Sequence, residues 1–450
     1  MSKSASQVTS VASLSARDTW ISILIIGMLF FIFGFVSWVN AILIPYFRIA
    51  CELSGNFESY LVTFAFYISY FVMSVPASML LKSVGFKRGM MTGFFFMAAG
   101  AFIFIPAAYL RTYGIFLVGL FTIGTGLAIL QTAANPYITV LGPKEQAARR
   151  ISIMGICNKG AGILAPLIFA AVILKATDTD LFKSLETMDP ASKSAALDEL
   201  IRRVIFPYAI VGSVLVLLGL FVRFSPLPEI DTEQEDAEQA KQNEKKSGIL
   251  QFPHVVLGAV AIFFHVGTQV ISIDTIIGYA GSMGLTIPEA KAFPSYTLTA
   301  TIIGYLIGIA TIPTLINQRT ALRICTILGM LFTALALLLN KQVYWFGHAV
   351  DISIWFIVLL GLANSLVWAG IWPLAMEGLG RYTKTGASLL IMGLCGNALM
   401  PLAYGALADS LGLKYGYVML MPCYLYLIWY AFTGHQLRSC LLYTSPSPRD

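Results

Sequence analysis

The sequence predicts an all-α integral membrane protein, with twelve transmembrane helices arranged as two pseudo-symmetric six-helix bundles. Three observations predict it. Charged residues make up 12% of the chain and hydrophobic ones 57%, whereas a soluble domain carries about 25% charged residues. Nearly uncharged runs recur twelve times along the 450 residues. Landmarks in the first half return in the second at a nearly constant offset.

The runs fall at 19–46, 57–81, 88–109, 113–142, 151–174, 205–225, 253–281, 295–318, 322–339, 352–376, 386–408 and 415–434. A hydrocarbon core of about 30 Å takes about 20 helical residues to cross, which most of these runs supply. Lipid offers the backbone no hydrogen-bond partners, so helices are the expected form. The first run is too long for a cleavable signal core of about 7–15 residues, so it stays as a span. Residues 1–18 form a Ser-rich N-terminal segment, 19–225 a first bundle and 253–434 a second. The polar stretch 175–204 reads as a loop with one short helix. The acidic-polar stretch 226–252 reads as a linker between bundles. Residues 435–450 form a tail, and Ser439 to Asp450 read as sequence that is not part of the fold.

The net charge of +6 does not mark a nucleic-acid partner, because the basic residues sit mostly in short loops between apolar runs. Lys and Arg in those loops favour a cytoplasmic N-terminus and C-terminus, with twelve on the inner set against five on the outer. The six cysteines show neither a pairing framework nor metal-ligand spacing. Nothing in the spans resembles an enzyme's metal cluster or activated nucleophile, and no cofactor is expected.

The internal repeat is carried by Ile153-Met154-Gly155-Ile156-Cys157 and Ile391-Met392-Gly393-Leu394-Cys395, 238 residues apart. Pro166 and Pro401 follow at an offset of 235, and Pro136 and Pro373 precede at 237. Span 4 and span 5 therefore repeat as span 10 and span 11. Parallel six-helix repeats place a solute site near the membrane midplane, between halves that rock against each other.

On span 4, the run from Gln131 through Asn135-Pro136-Tyr137 to Gly142-Pro143 resembles the signature of the fucose:proton symporter family of the major facilitator superfamily. Asn40-Ala41-Ile42-Leu43-Ile44-Pro45 and Phe66-Tyr67-Ile68-Ser69-Tyr70-Phe71 resemble the same family. Within it, Phe33 to Ala41, Cys157-Asn158-Lys159, Asp274 to Ala280 and Trp372 to Gly380 are most similar to the bacterial N-acetylglucosamine and glucose-galactose permease branch. The resemblance implies a major facilitator fold and secondary active uptake of a hexose or N-acetylhexosamine across a bacterial inner membrane. It implies a proton as coupling ion, with sodium or no ion as alternatives, and a carrier that works as a monomer in the lipid bilayer. An exporter of small metabolites is the alternative of another class. Fucose-type relatives carry acids where this chain has Ala41 and Gln131.

Ionisable groups inside spans mark function, since each costs about 2.5–3.5 kcal/mol on insertion scales. Lys159, His265 and Asp274 are the ones that stand out. Superposing Gly34 on Gly267 puts Ala41 over Asp274, at an offset of 233 for both. Asp274 is therefore the expected proton-coupling carboxylate, with Lys159 as a second coupling or cavity group. His265 lies nine residues before Asp274, on the opposite helix face, and is expected to pack. Sugar recognition needs amides for hydroxyls and aromatic faces for the ring. The expected binding residues are Trp38 and Asn40 on span 1, Gln131 and Asn135 on span 4, Asn158 on span 5, Gln269 on span 7, and Asn364, Trp368 and Trp372 on span 10.

Overall fold

The computed structural model describes residues 16–140, 147–175, 177–185, 187–227, 248–312, 314–379 and 382–437. Within them, twelve helical stretches are long and apolar enough to cross a membrane. They coincide with the twelve apolar runs of the sequence, with local differences. Span 1 is two helices, Ala16–Trp38 and Asn40–Ala50. Span 8 ends at Thr311 instead of continuing to residue 318, because Ile312 turns extended ahead of Pro313. Span 10 is also two helices, Ser353–Asn364 and Val367–Met376, separated at Ser365 and Leu366. The polar stretch before span 6 folds as two short helices, Asp178–Ser184 and Pro190–Arg202, rather than one. Most of the linker, at 228–247, and the tail from residue 438 lie outside the described residues.

The two bundles repeat the same packing. In the first, spans 3 and 4, 3 and 6, 1 and 5, and 2 and 4 run against each other; in the second, spans 9 and 10, 9 and 12, 7 and 11, and 8 and 10 do so. One contact shows how the repeat is built. A Cβ on Gly124 would lie 2.1 Å from the Phe66 carbonyl oxygen, and one on Gly361 would lie 2.0 Å from the Thr297 carbonyl oxygen. The two glycines are 237 residues apart. Each lets its span press directly on the backbone of the span two places earlier, the close approach that small residues allow in lipid.

The bundles meet along spans 5 and 8 and along spans 2 and 11. For orientation, the near face is the one at which span 1 begins, and the far face is the opposite one. At the far face the contact widens: the helix Asn40–Ala50 touches both Pro253–Asp274 and Ile276–Gly281. There the short helix Asn56–Ser59 of the first bundle sits on the end of span 11. Asp409 of span 11 accepts hydrogen bonds from Asn56 N (2.8 Å), Asn56 Nδ2 (2.6 Å) and Phe57 N (3.0 Å). Arg48 holds Asn56 in place by donating to its Oδ1 at 2.6 Å. This cross-bundle clasp closes the far face.

Also on the far face is a hairpin absent from the sequence expectations. Strands β1 (Gln342–Trp345) and β2 (His348–Asp351) pair antiparallel between spans 9 and 10. Phe346 and Gly347 form its two-residue turn, both at positive φ, as a type I′ turn requires. On the near face, Lys87 donates to the Ser225 carbonyl at 2.6 Å, tying the start of span 3 to the end of span 6.

Candidate functional site

The break after Trp38 leaves its indole at the end of a helix, where the two bundles face each other. The indole N–H donates to Asn158 Oδ1 at 3.3 Å, and Asn158 donates its own amide to the Phe30 carbonyl at 3.3 Å. One edge of the ring rests on Gly162, where a Cβ would stand 2.3 Å from Trp38 Cδ1. The ring face carries the Lys159 ammonium, 4.1 Å from its centroid. Lys159 also donates to Gln269 Oε1 of span 7 at 3.2 Å. Side chains of spans 1, 5 and 7 thus form one cluster across the bundle boundary. Lys159 is 7% exposed. Among the described residues, no carboxylate pairs with it. Eight residues of the apolar run 151–174 precede it, about 12 Å of helical rise, which sets it well inside the span.

Asp274 ends span 7 at the closed far face and is 1% exposed. Its Oδ2 accepts a hydrogen bond from Thr63 Oγ1 of span 2 at 3.2 Å, across the bundle boundary. Among the described residues, its Oδ1 has no partner. Next to it, the Thr275 and Tyr417 hydroxyls are 2.8 Å apart, and the Tyr60 ring meets Tyr404 edge-on at 5.6 Å. A ring of hydroxyls and aromatic side chains from both bundles therefore seals the carboxylate. Asp274 and Lys159 form no ion pair, in keeping with their different depths.

The other expected residues divide. Gln131 is half-buried and donates to the Tyr70 hydroxyl at 2.8 Å. Trp368 and Trp372 are half-buried and stacked on each other, with centroids 5.3 Å apart and planes at 20°. The side chain of Asn135 lies outside the described residues. Two of the expected residues lie away from the Trp38–Lys159 cluster. Asn40 points into the first bundle, lining a small apolar pocket with Phe66, Phe169 and Tyr208, and among the described residues its amide has no partner. It follows Trp38 by two residues, about 200° around a helix, so the two could not share the cavity face. Asn364 is likewise buried inside the second bundle, where its Oδ1 accepts from Thr268 Oγ1 (3.3 Å) and Tyr424 OH (3.1 Å). The break in span 10 after Asn364 takes it out of phase with Trp368 and Trp372. His265 is 1% exposed within the same bundle.

The profile of the Major Facilitator Superfamily matches residues 26–394. The chain belongs to this superfamily. Among its members, the glucose/galactose transporter of Brucella abortus biovar 1 (strain 9-941) is 33% identical over 410 residues, covering 90% of this chain and 92% of that one. The L-fucose-proton symporter of Escherichia coli (strain K12) is 31% identical over 399 residues, covering 88% and 89%. Within the superfamily, the chain therefore groups with the fucose:proton symporter family. The fold agrees: the transporter FucP in its outward conformation superposes with a TM-score of 0.68 at 27% identity, covering 92% of this chain and 99% of FucP. A bacterial homologue of the lysosomal transporter Spinster, inward-facing, superposes at 0.65 with 13% identity, which speaks to the fold alone.

Three groups of this superfamily member escaped sequence reasoning. Thr63, Tyr60 and the Asn56–Asp409 clasp lie at the far-face seal. Asp409 alone left a signal, as a carboxylate close to the end of an otherwise apolar run. The contact of Gly162 with Trp38 left no signal, since it depends on how spans 1 and 5 lie together.

Proposed function

We propose that this protein takes up a hexose or N-acetylhexosamine by proton symport, working as a monomer by alternating access. The far face is then the external one, and both termini lie in the cytoplasm of a bacterium whose inner membrane the helices span. The observation that carries this reading is the seating of Asp274. A carboxylate held by Thr63 of the opposite bundle is buried only when the far face shuts. Sealing it in ionised form, with one oxygen bare, is expensive; protonation removes the charge before closure. Proton uptake and closure are linked by that requirement. The names of the relatives support a sugar as cargo, and so does the amide and aromatic character of the Trp38, Asn158, Gln269 cluster.

One proton moving through about 150 mV supplies roughly 3.5 kcal/mol. That sustains accumulation of a few hundred-fold, at about 1.4 kcal/mol per tenfold. No bond-making chemistry is needed. Reconstituted protein tests the proposal by counterflow with labelled glucose, galactose, fucose and N-acetylglucosamine, followed by uptake under a proton gradient or a sodium gradient alone. Exchange of at least one sugar, concentrated only by the proton gradient, is expected. Accumulation driven by sodium alone would overturn the coupling ion, and a lack of exchange for every sugar would overturn the cargo.

A further inference from the structure

We propose that Lys159 is a specificity-determining residue that filters cargo by charge, admitting neutral and acidic sugars and rejecting hexosamines whose free amine is protonated. The proposal rests on the sugar-carrier reading and adds to it the class of substrate.

The cluster geometry carries it. The Lys159 ammonium occupies the two groups that a pyranose would use: the face of Trp38, at 4.1 Å, and the Gln269 carbonyl oxygen, at 3.2 Å. Trp38 is fixed for this, its N–H committed to Asn158 and its edge pressed against Gly162. A sugar stacking on Trp38 has to move the ammonium aside and lie against it. The cation then remains within contact of the bound ring, with hydrogen-bond donors to offer to a hydroxyl, a ring oxygen, an acetamido carbonyl or a carboxylate. Among the described residues, no acid forms an ion pair with Lys159, so its field reaches the cargo uncompensated. In a buried, low-dielectric site, a second cation at this distance is strongly repelled. Rejection by like charge is a recognised route to specificity. Acetylation of the amine removes that charge and turns the same substituent into an acceptor for Lys159.

If Lys159 were only a tether between spans 5 and 7, its removal would change affinity for all sugars alike. The test is therefore a ratio. Competition against the labelled hexose is measured in proteoliposomes holding the full chain, at mildly acidic pH, with glucose, N-acetylglucosamine, glucosamine and glucuronate. Wild-type protein is expected to bind glucosamine at least about thirtyfold more weakly than N-acetylglucosamine, well within what repulsion between like charges about 4 Å apart can supply. Lys159→Gln and Lys159→Met should bring that ratio to within about threefold and weaken glucuronate relative to glucose, while Lys159→Arg keeps both preferences. Gln269→Glu offers a second route that leaves the lysine in place: a carboxylate beside the ammonium should reopen the site to glucosamine. A wild-type ratio near one, or a ratio that survives both Lys159→Gln and Gln269→Glu, overturns the filter. Failure of the wild type to bind any neutral hexose would instead overturn the sugar-carrier reading on which it rests.

Discussion

Asp274 and Lys159 are both buried charged residues, and they are held in different ways. Lys159 keeps one hydrogen bond to an amide oxygen and one aromatic face, contacts that favour a cation. Asp274 keeps one hydroxyl partner and a bare oxygen, contacts that suit a group whose charge comes and goes. Asp274→Asn mimics the protonated form permanently. It should abolish accumulation driven by the proton gradient, a loss of up to a few hundred-fold in the steady-state ratio. It should leave sugar counterflow, which needs no net proton movement, near the wild-type rate. Unchanged accumulation in reconstituted vesicles would remove Asp274 from the coupling step. Lys159 was legible in the sequence as a charge inside a span, but its partners were not. Contact with Gln269 and Trp38 depends on how three helices lie against each other, which spacing along one chain does not carry.

At the scale of elements, hydropathy and the repeat made the spans legible, and phase decided which residues within them reach the site. Span 10 reads as one apolar run, and its break at Ser365 and Leu366 separates Asn364 from the tryptophans that follow. The turn residues Phe346 and Gly347 hid a hairpin, since phenylalanine at positive φ is not a signal that sequence patterns offer. The Asn56–Asp409 clasp joins elements some 350 positions apart, as its 353-residue separation shows, and could only be seen once the bundles were docked. Its three hydrogen bonds to a carboxylate stabilise the closed far face. Because Asp409 is exposed, solvent trims their net contribution to about 1–2 kcal/mol, or roughly tenfold in the equilibrium. Asp409→Ala should shift the protein toward the far-face-open form by about that factor. Labelling of a cysteine placed at Gly278, near the Tyr60 hydroxyl, reads the shift. No change in labelling rate would show the clasp to be incidental.

For the molecule as a whole, the repeat is both its architecture and its mechanism. Equivalent pairs of spans pack alike in each bundle, and in carriers built from such repeats the boundary between the halves is the part that moves. Gly124 and Gly361 permit the close helix approach within each half. Gly124→Ala and Gly361→Ala should each cost about 1–3 kcal/mol by forcing a pair of helices apart, measurable as a lower melting temperature in detergent. Equal effects in the two halves are expected, and a loss confined to one would argue against equivalent bundles.

The most direct test of alternating access locks the boundary. Asn56→Cys with Asp409→Cys, in a background without the native cysteines, replaces the clasp by a reducible covalent bond between the bundles. Oxidised protein should show no sugar counterflow, and reduction should restore it. Counterflow that persists with the cross-link fully formed would contradict a carrier whose two bundles part at the far face to admit its cargo.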